Sequence, residues 1–367
     1  MDDFAIACDD QTTATSTWND LDTHLKAALK RETGLIRRHN GIDIEQSEDG
    51  IKVYCKTYLE KILSTKSFNM TITQHKPIPM ANDNNKMTAL ELTIGSDEKE
   101  TQKILHEQFG FKYRNTTGEL IFALVMCRPD ISFPVMKLSQ YNTMPAECHY
   151  EAIQEIYRYL NATMDEGLMF WRPKPCRTLT PSTTYTPPQP DSYELFIPPE
   201  NKSTNTAYCY ADSDFAGDRQ SRRSVGGIII MFGGAAIVYK TILQRTIALS
   251  STEAEFYALT EAGKLVLYIR FVLADLGLEQ TQATIIYEDN KGCLQMTQAL
   301  KPTKRTRHVE TRYFKILECA QTEQLKIDKI NTADNASDTL TKATGRILFY
   351  RHNDTILGRR KPLYVQT

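Results

Sequence analysis

The chain has 367 residues, a length that favours two or three domains over one core. Its 44 lysine and arginine residues nearly balance 45 aspartate and glutamate residues, so the net charge gives no reason to expect a nucleic-acid or membrane partner. Any such partner has to be inferred from local patches of charge. The eight cysteines show no CxxC spacing and no pairwise rhythm. This argues against a zinc site or a disulfide framework and favours reduced thiols in an intracellular compartment.

The amino-terminal part opens with MDDFAIAC, where Asp2 and Asp3 follow the first methionine. An Asp-Asp pair is by itself most often a solvated turn, so the role of this pair depends on the rest of the chain. We expect no secretory signal, since no basic segment leads into an apolar one here. Helices are predicted around KAALKRETGLI and AECHYEAIQEIYRYLNAT.

A segment rich in proline, serine and threonine, residues 172–206, is typical of an exposed, extended linker that cannot bury a core. It divides the chain in two. The second part begins with AYCYAD, GGIIIMF and AAIVYK, three runs typical of an antiparallel meander. Gly233 and Gly234 predict a hairpin turn, and the stretch VGGIIIMFGGAAIVY that contains them is too short for a membrane span.

A long helix is predicted over SSTEAEFYALTEAGKLVLYIRFVLADLG, because Ser250 and Glu253 have capping-box spacing and Gly277 follows as a helix terminator. The face predicted to be buried comprises Ala258, Ala262, Leu265, Ile269, Val272 and Leu276. Two further strands, ATIIYED and LKIDKI, alternate with helices over GCLQMTQAL and NASDTLTKA. This order predicts a mixed sheet covered by helices.

Four carboxylates fall at suggestive places in this outline. Asp212 ends the first predicted strand, and Glu255 starts the buried helix face, an expensive position for a lone anion. Asp289 follows a strand at the sheet edge where ligands bind. Asp338 opens the last helix, where the helix dipole favours an anion.

Each acid also has a purely structural interpretation, weakest for Glu255. Asp212 could form an Asx turn with Asp214, Asp289 could be a turn residue and Asp338 a helix-terminal charge. Four acids from one mixed sheet nevertheless form a specific constellation, because converging carboxylates repel one another strongly unless divalent cations lie between them.

Five segments follow one another in the second part: YADSDFAGDRQSRRSVGG, YKTILQRTIALSSTEAEFYALTEA, YEDNKGCL, RTRHVETRYFKI and NTADNASDTLTKA. They cover nearly all of residues 207–345 and resemble, in order, the ribonuclease H domain of copia-type retrotransposon polyproteins. The resemblance implies an α/β ribonuclease H-like domain with a mixed five-stranded sheet and helices. It also implies a magnesium-dependent endonuclease that cuts the RNA strand of an RNA:DNA hybrid.

Carried over residue by residue, the resemblance makes Asp212, Glu255, Asp289 and Asp338 the catalytic and metal-binding acids. Carboxylate oxygens suit hard cations, and two Mg²⁺ ions, with Mn²⁺ as an alternative, would serve the attacking water and the leaving oxygen. The family often has a mobile histidine near the last acid that assists product release. The matching stretch ADNASD has none, so that role is unfilled or falls to Asn335.

The first part carries a second resemblance, through NGIDIEQSEDGIKVYCKTYLEKIL, TTGELIFALVMCRPDISFPVMKLSQYNTMPAECHYEAIQEIYRYL and DEGLMFW. These segments resemble the region after the palm aspartates of copia-type reverse transcriptases, and MDDFAIAC matches the palm motif itself. The resemblance implies an α+β remnant of palm, thumb and connection. The third palm aspartate would precede this motif in the family, so we expect Asp2 and Asp3 to be a vestigial polymerase metal site and polymerase activity to be absent.

Candidate substrate contacts are basic residues at two places, namely Arg222 and Arg223 near the first hairpin and Lys304, Arg305, Arg307 and His308 within KPTKRTRH. A solvated basic loop is the alternative to phosphate contacts along a hybrid, whose RNA strand is recognised through its 2′-hydroxyls.

The resulting organisation is a truncated reverse transcriptase over 1–171, a linker over 172–206, a ribonuclease H-like domain over 207–345 and a tail over 346–367. Three hypotheses stay open: a hybrid-specific ribonuclease, a catalytically silent nucleic-acid-binding remnant, and a decayed retroelement product without selected function. Expected partners are an RNA:DNA hybrid and a complete reverse transcriptase acting in trans, with no membrane. The expected location is cytoplasmic or nuclear.

Overall fold

Two β-sheets organise the part of the chain that the structure describes. The structure, a computed structural model, describes residues 35–64, 76–173, 205–298 and 318–360, together with residues 15–17, 19–20, 23 and 316. The linker residues 174–204 therefore lie outside the described residues. So does the segment KAALKRETGLI, for which a helix was predicted, except for Leu35 and Ile36, which are not helical. None of the described helices is both long enough and apolar enough to cross a membrane.

The first sheet is antiparallel and lies in the amino-terminal part. Its strands are β1 (Arg38–His39), β2 (Ile42–Gln46), β3 (Gly50–Tyr54) and β4 (Gly167–Trp171), hydrogen-bonded in that order. The helices of this part are α1 (Lys56–Ser64), α2 (Asn84–Leu92), α3 (Lys99–Phe109), α4 (Tyr113–Cys127), α5 (Ser132–Ser139) and α6 (Glu147–Ala162). An α+β arrangement is thus present, while its assignment to palm, thumb and connection stays a prediction.

Helix α6 confirms the helix predicted over AECHYEAIQEIYRYLNAT. Its buried residues include Ile153, Ile156, Tyr157 and Leu160. Their spacing of three and four residues places them on one face of the helix, which packs against the core.

The second sheet is mixed and five-stranded, as predicted. Its strands are β5 (Tyr208–Asp214), β6 (Val225–Phe232), β7 (Ala235–Leu243), β8 (Thr284–Glu288) and β9 (Leu325–Lys329), in the order β7-β6-β5-β8-β9. The pairs β7-β6 and β6-β5 are antiparallel, whereas β5-β8 and β8-β9 are parallel. The hairpin predicted at Gly233 and Gly234 is confirmed, because both residues have the positive φ angles, 65° and 89°, that a tight turn between twisted strands requires.

The helices of this part include α7 (Ser251–Asp275), α8 (Lys291–Gln298), α9 (Asp338–Thr341) and α10 (Arg346–Ile356). The predicted start of α7 is confirmed, since the Ser250 side chain accepts a hydrogen bond from the Glu253 backbone N–H. Gly277, with φ of 74°, follows the end of the helix as predicted. Leu276 is 68% exposed, so its placement on the buried face was wrong. The helix ends at Asp275, and Leu276 therefore leaves the register of that face.

The two parts of the chain share one apolar core. A single buried cluster contains Leu120, Ile131 and Leu160 from the first part together with Ile229 and Met231 from the second. Each fully buried residue of this kind contributes about 1.5–3 kcal/mol, so separating the parts would expose surface that stabilises both. A second core lies beneath α7 and contains Phe256, Leu259, Val266, Ile228 and Ile286.

Backbone and side-chain hydrogen bonds reinforce this contact around β4. The Trp171 indole N–H donates to the Gly358 carbonyl at 2.8 Å, and the Trp171 backbone N–H donates to Gly233 at 2.7 Å. The Met169 N–H donates to Leu357 at 2.8 Å. Residues 346–360, assigned from the sequence to a tail, thus include helix α10 and a turn that packs against both sheets.

Candidate metal centre

Three of the predicted acids converge at one edge of the second sheet. Asp212 lies near the end of β5, Asp289 directly follows β8, and Glu255 lies in the second turn of α7. One carboxylate oxygen from each lies within 4.8 Å of the others. The topology explains this, because β5 and β8 are parallel neighbours whose carboxyl ends meet at the same edge, and α7 packs across β5.

Burial makes this cluster unfavourable for negative charge. Asp212 is 4% exposed and Glu255 is 7% exposed. Burial, followed by the charge of Asp338, raises the pKa of Asp212 to about 7. Burial and the neighbouring acids also raise the pKa of Glu255 far above its usual range. Glu255 Oε2 is buried and receives no hydrogen bond from the described residues.

These features fit a hard divalent cation. The donor set consists of carboxylate oxygens alone, which suits Mg²⁺ or Mn²⁺ better than soft metals. A cation among the three acids would offset their mutual repulsion and would give the unpaired Glu255 oxygen a partner. The arrangement of the chain therefore fits the magnesium that the family resemblance implies.

Asp338, the fourth predicted acid, lies on the same rim but outside this group of three. It is buried, and its carboxylate forms an ion pair with Lys342 one helical turn further along the chain. Its burial raises its pKa, and Lys342 opposes this effect. Asp338 lies close enough to Asp212 to raise the pKa of that residue. Its role as a fourth ligand stays a prediction.

Two neighbours hold the strand that carries Asp212. The Thr341 hydroxyl donates to Asp212 Oδ2 at 2.6 Å. The Asn335 amide nitrogen donates to the Ala211 carbonyl at 2.8 Å, and its oxygen accepts from the Ser337 hydroxyl at 2.6 Å. Asn335 is fully buried and bonded at both ends of its amide, so it holds the strand in place, and a role for it in product release stays a prediction.

Glu288 is an acid that the sequence reasoning missed. It ends β8, is fully buried, and accepts a hydrogen bond from the Asn290 N–H at 3.0 Å. Its charge is the largest contribution after burial to the raised pKa of Glu255. Its signal in the sequence was its place beside Asp289 in YED, at the end of a predicted strand.

No family model matches the chain. The chain is 30% identical over 292 residues to the retrovirus-related Pol polyprotein from transposon TNT 1-94 of Nicotiana tabacum, which covers 80% of the chain and 19% of that protein. It is 26% identical over 362 residues to the corresponding polyprotein from transposon RE1 of Arabidopsis thaliana, which covers 99% and 21%.

These matches, at 26–30% identity over 80–99% of the chain, support a fragment of a retrotransposon Pol polyprotein. The chain spans about a fifth of the length of the Pol polyproteins it matches. Among solved structures, LC11-RNase H1 in complex with an RNA/DNA hybrid has a TM-score of 0.29 and 15% identity, covering 37% of this chain and 93% of that chain.

The predicted substrate contacts fall into two groups. Arg222 and Arg223 are exposed and lie in the loop between β5 and β6, directly beyond the strand that carries Asp212. The basic residues Lys304, Arg305, Arg307 and His308 lie outside the described residues, as do Asp2 and Asp3 of the predicted vestigial polymerase site.

Proposed function

We propose that the acid cluster is the cation-binding centre of an endonuclease that cuts the RNA strand of RNA:DNA hybrids. The convergence of Asp212, Glu255 and Asp289 within 4.8 Å carries this proposal. The resemblance of the motifs around these residues to ribonuclease H domains supports the hybrid as substrate. The reverse-transcriptase remnant is proposed to be inactive as a polymerase, and a complete reverse transcriptase in trans is a proposed partner.

Two Mg²⁺ ions bound at this centre would supply an activated water and stabilise the leaving oxygen of the RNA phosphodiester. The protein contributes the ligands and their orientation. Asp212, Glu255 and Asp289 hold the cations, and Asp338 completes the acid set. The Thr341 hydroxyl fixes the rotation of the Asp212 carboxylate through its 2.6 Å hydrogen bond.

Substrate orientation comes from the surface around the acids. Arg222 and Arg223 extend from the loop after β5, where exposed guanidinium groups can contact backbone phosphates. The stretch that contains Lys304, Arg305 and Arg307 would contribute further phosphate contacts. Such contacts place the scissile phosphate at the acids without reading the base sequence.

The proposal is tested by incubating the full chain with a labelled RNA:DNA hybrid in Mg²⁺ and in Mn²⁺. We expect cleavage of the RNA strand by wild type and by Asp275→Asn, which changes an exposed acid at the far end of α7. Asp289→Asn should abolish cleavage. If wild type binds the hybrid but neither binds cation nor cleaves, the nuclease proposal fails and the silent binding remnant replaces it.

A further inference from the structure

A buried row of residues crosses three strands beneath the acid centre. Asp212 on β5 pairs in register with Gly227 on β6, and Gly227 pairs with Thr241 on β7. Helix α9 lies across this row. At one end the Thr341 hydroxyl donates to Asp212, and at the other end the Thr241 hydroxyl donates to the Leu340 carbonyl at 2.8 Å.

Gly227 lets α9 sit this close to the sheet. A Cβ atom at this position would lie 2.7 Å from the Ser337 carbonyl oxygen and 2.8 Å from a Thr341 methyl group. The helix therefore rests directly on the backbone of β6. Because α9 lies directly on β6, the hydrogen bond from Thr241 to Leu340 fixes the position of the carboxyl end of α9 along the row.

The row continues into the amino-terminal part of the chain. The Ser132 hydroxyl, at the start of α5, lies 2.8 Å from the Thr241 hydroxyl oxygen. Thr241 has one hydroxyl proton and donates it to Leu340, so Ser132 is the donor to Thr241. Ser132 is 2% exposed and Thr241 is 9% exposed, which shields both hydrogen bonds from water.

Helix α5 also contacts the loop that follows the acid strand. Lys137 Nζ lies 2.7 Å from Asp218 and 2.7 Å from Glu91, and these side chains are 2–4% exposed. Asp218 belongs to the loop that follows β5, where it accepts a hydrogen bond from the Ser221 N–H. Removing one partner of such a buried ion pair would leave an uncompensated buried charge, so Lys137 ties α5 to the loop beside the acid centre.

We propose that Ser132 and Thr241 are positioning residues for the acid centre. Through the end of α9 they hold Thr341, and with it the carboxylate of Asp212, in the orientation that binds the cation. The amino-terminal part of the chain thereby influences the cation affinity of a centre to which none of its described residues contributes a ligand. This inference rests on the proposed nuclease function, which supplies the cation.

The test measures Mn²⁺ affinity of the substrate-free full chain by calorimetric titration, together with hybrid cleavage over a range of Mn²⁺ concentrations. Loss of a group that orients a metal ligand weakens metal binding by about tenfold or more, which is the expectation for Thr341→Val. Thr241 lies one hydrogen bond further from the metal ligand than Thr341, so Thr241→Val is expected to weaken Mn²⁺ binding less, by about threefold to fivefold. Thr241→Ser keeps the hydroxyl and should bind like wild type.

Ser132→Ala should weaken Mn²⁺ binding less than Thr241→Val, because Thr241 still bonds Leu340. The double variant should bind no worse than Thr241→Val alone, since Ser132 acts through Thr241. Tyr239→Phe is the matched control. The Tyr239 hydroxyl donates from the same strand to the Leu124 carbonyl at 2.9 Å, so its loss breaks a contact between the parts without touching α9.

Tyr239→Phe should therefore lower the melting temperature while leaving Mn²⁺ affinity unchanged. Faster hydrogen exchange in residues 336–342 of Thr241→Val, but not of Tyr239→Phe, would show the displaced helix directly. The inference is overturned if an active wild type and Thr241→Val bind Mn²⁺ equally, or if Tyr239→Phe weakens binding as much. A wild type that neither binds Mn²⁺ nor cleaves would instead overturn the proposed function itself.

Discussion

Replacing Asp212 by Asn should stabilise the metal-free protein in a pH-dependent way. Burial, followed by the charge of Asp338, raises the pKa of Asp212 to about 7 from its ordinary 3.8. Each pKa unit corresponds to about 1.36 kcal/mol, so ionising Asp212 in the folded protein costs at most about 4 kcal/mol relative to the unfolded chain. The Asn side chain avoids this cost, and its amide oxygen can still accept the hydrogen bond from Thr341.

The direction of this pH dependence follows from proton binding. The folded protein holds the Asp212 proton more tightly than the unfolded chain, so wild-type stability is greatest below about pH 4 and falls as pH rises to about 7. The advantage of Asp212→Asn should therefore be near zero at about pH 4 and reach at most about 4 kcal/mol above about pH 7. Saturating Mg²⁺ should remove much of the wild-type loss, because the cation replaces the proton as the partner of the carboxylate.

Urea unfolding of the full chain in EDTA, at several pH values across this range, measures the effect. Asp275→Asn is the matched control, since it removes an exposed carboxylate of α7 and should change the free energy of unfolding by the same small amount at every pH. An advantage of Asp212→Asn that does not grow with pH would refute the argument that burial opposes this charge.

Three other changes have defined outcomes. Asp338→Asn should lose cleavage in Mg²⁺ but keep part of it in Mn²⁺, which tolerates looser geometry; equal loss in both metals would contradict this. Replacing Lys304, Arg305 and Arg307 by Ala should weaken hybrid binding and flatten its salt dependence, as titrations at several salt concentrations can show, while turnover at saturation stays unchanged. Gly227→Ala should destabilise the protein by about 1–3 kcal/mol through overpacking beneath α9, and an unchanged melting temperature would argue against the close contact there.

Local patterns in the sequence were sufficient for the elements of the second sheet. Neighbours within a few residues decide several of these features. They are the capping by Ser250, the positive φ angles of Gly233 and Gly234, and the alternation of strand and helix. The order of these elements placed Asp212 and Asp289 near the ends of strands, and the resemblance to ribonuclease H domains predicted that they lie together. Their convergence with Glu255 could therefore be expected before the fold was seen.

Three features depend on the tertiary structure alone. They are the burial of Glu288, the hydrogen bond from Thr341 to Asp212, and the row from Asp212 through Gly227 to Thr241. The Thr341–Asp212 hydrogen bond joins residues 129 positions apart, and the pairs Asp212–Gly227 and Gly227–Thr241 are set by strand register, which no local pattern encodes. The linker composition suggested two separable parts, yet the shared core and the Ser132 hydrogen bond join them. Sequence periodicity shows that a face is apolar, but only packing decides which other surface covers it.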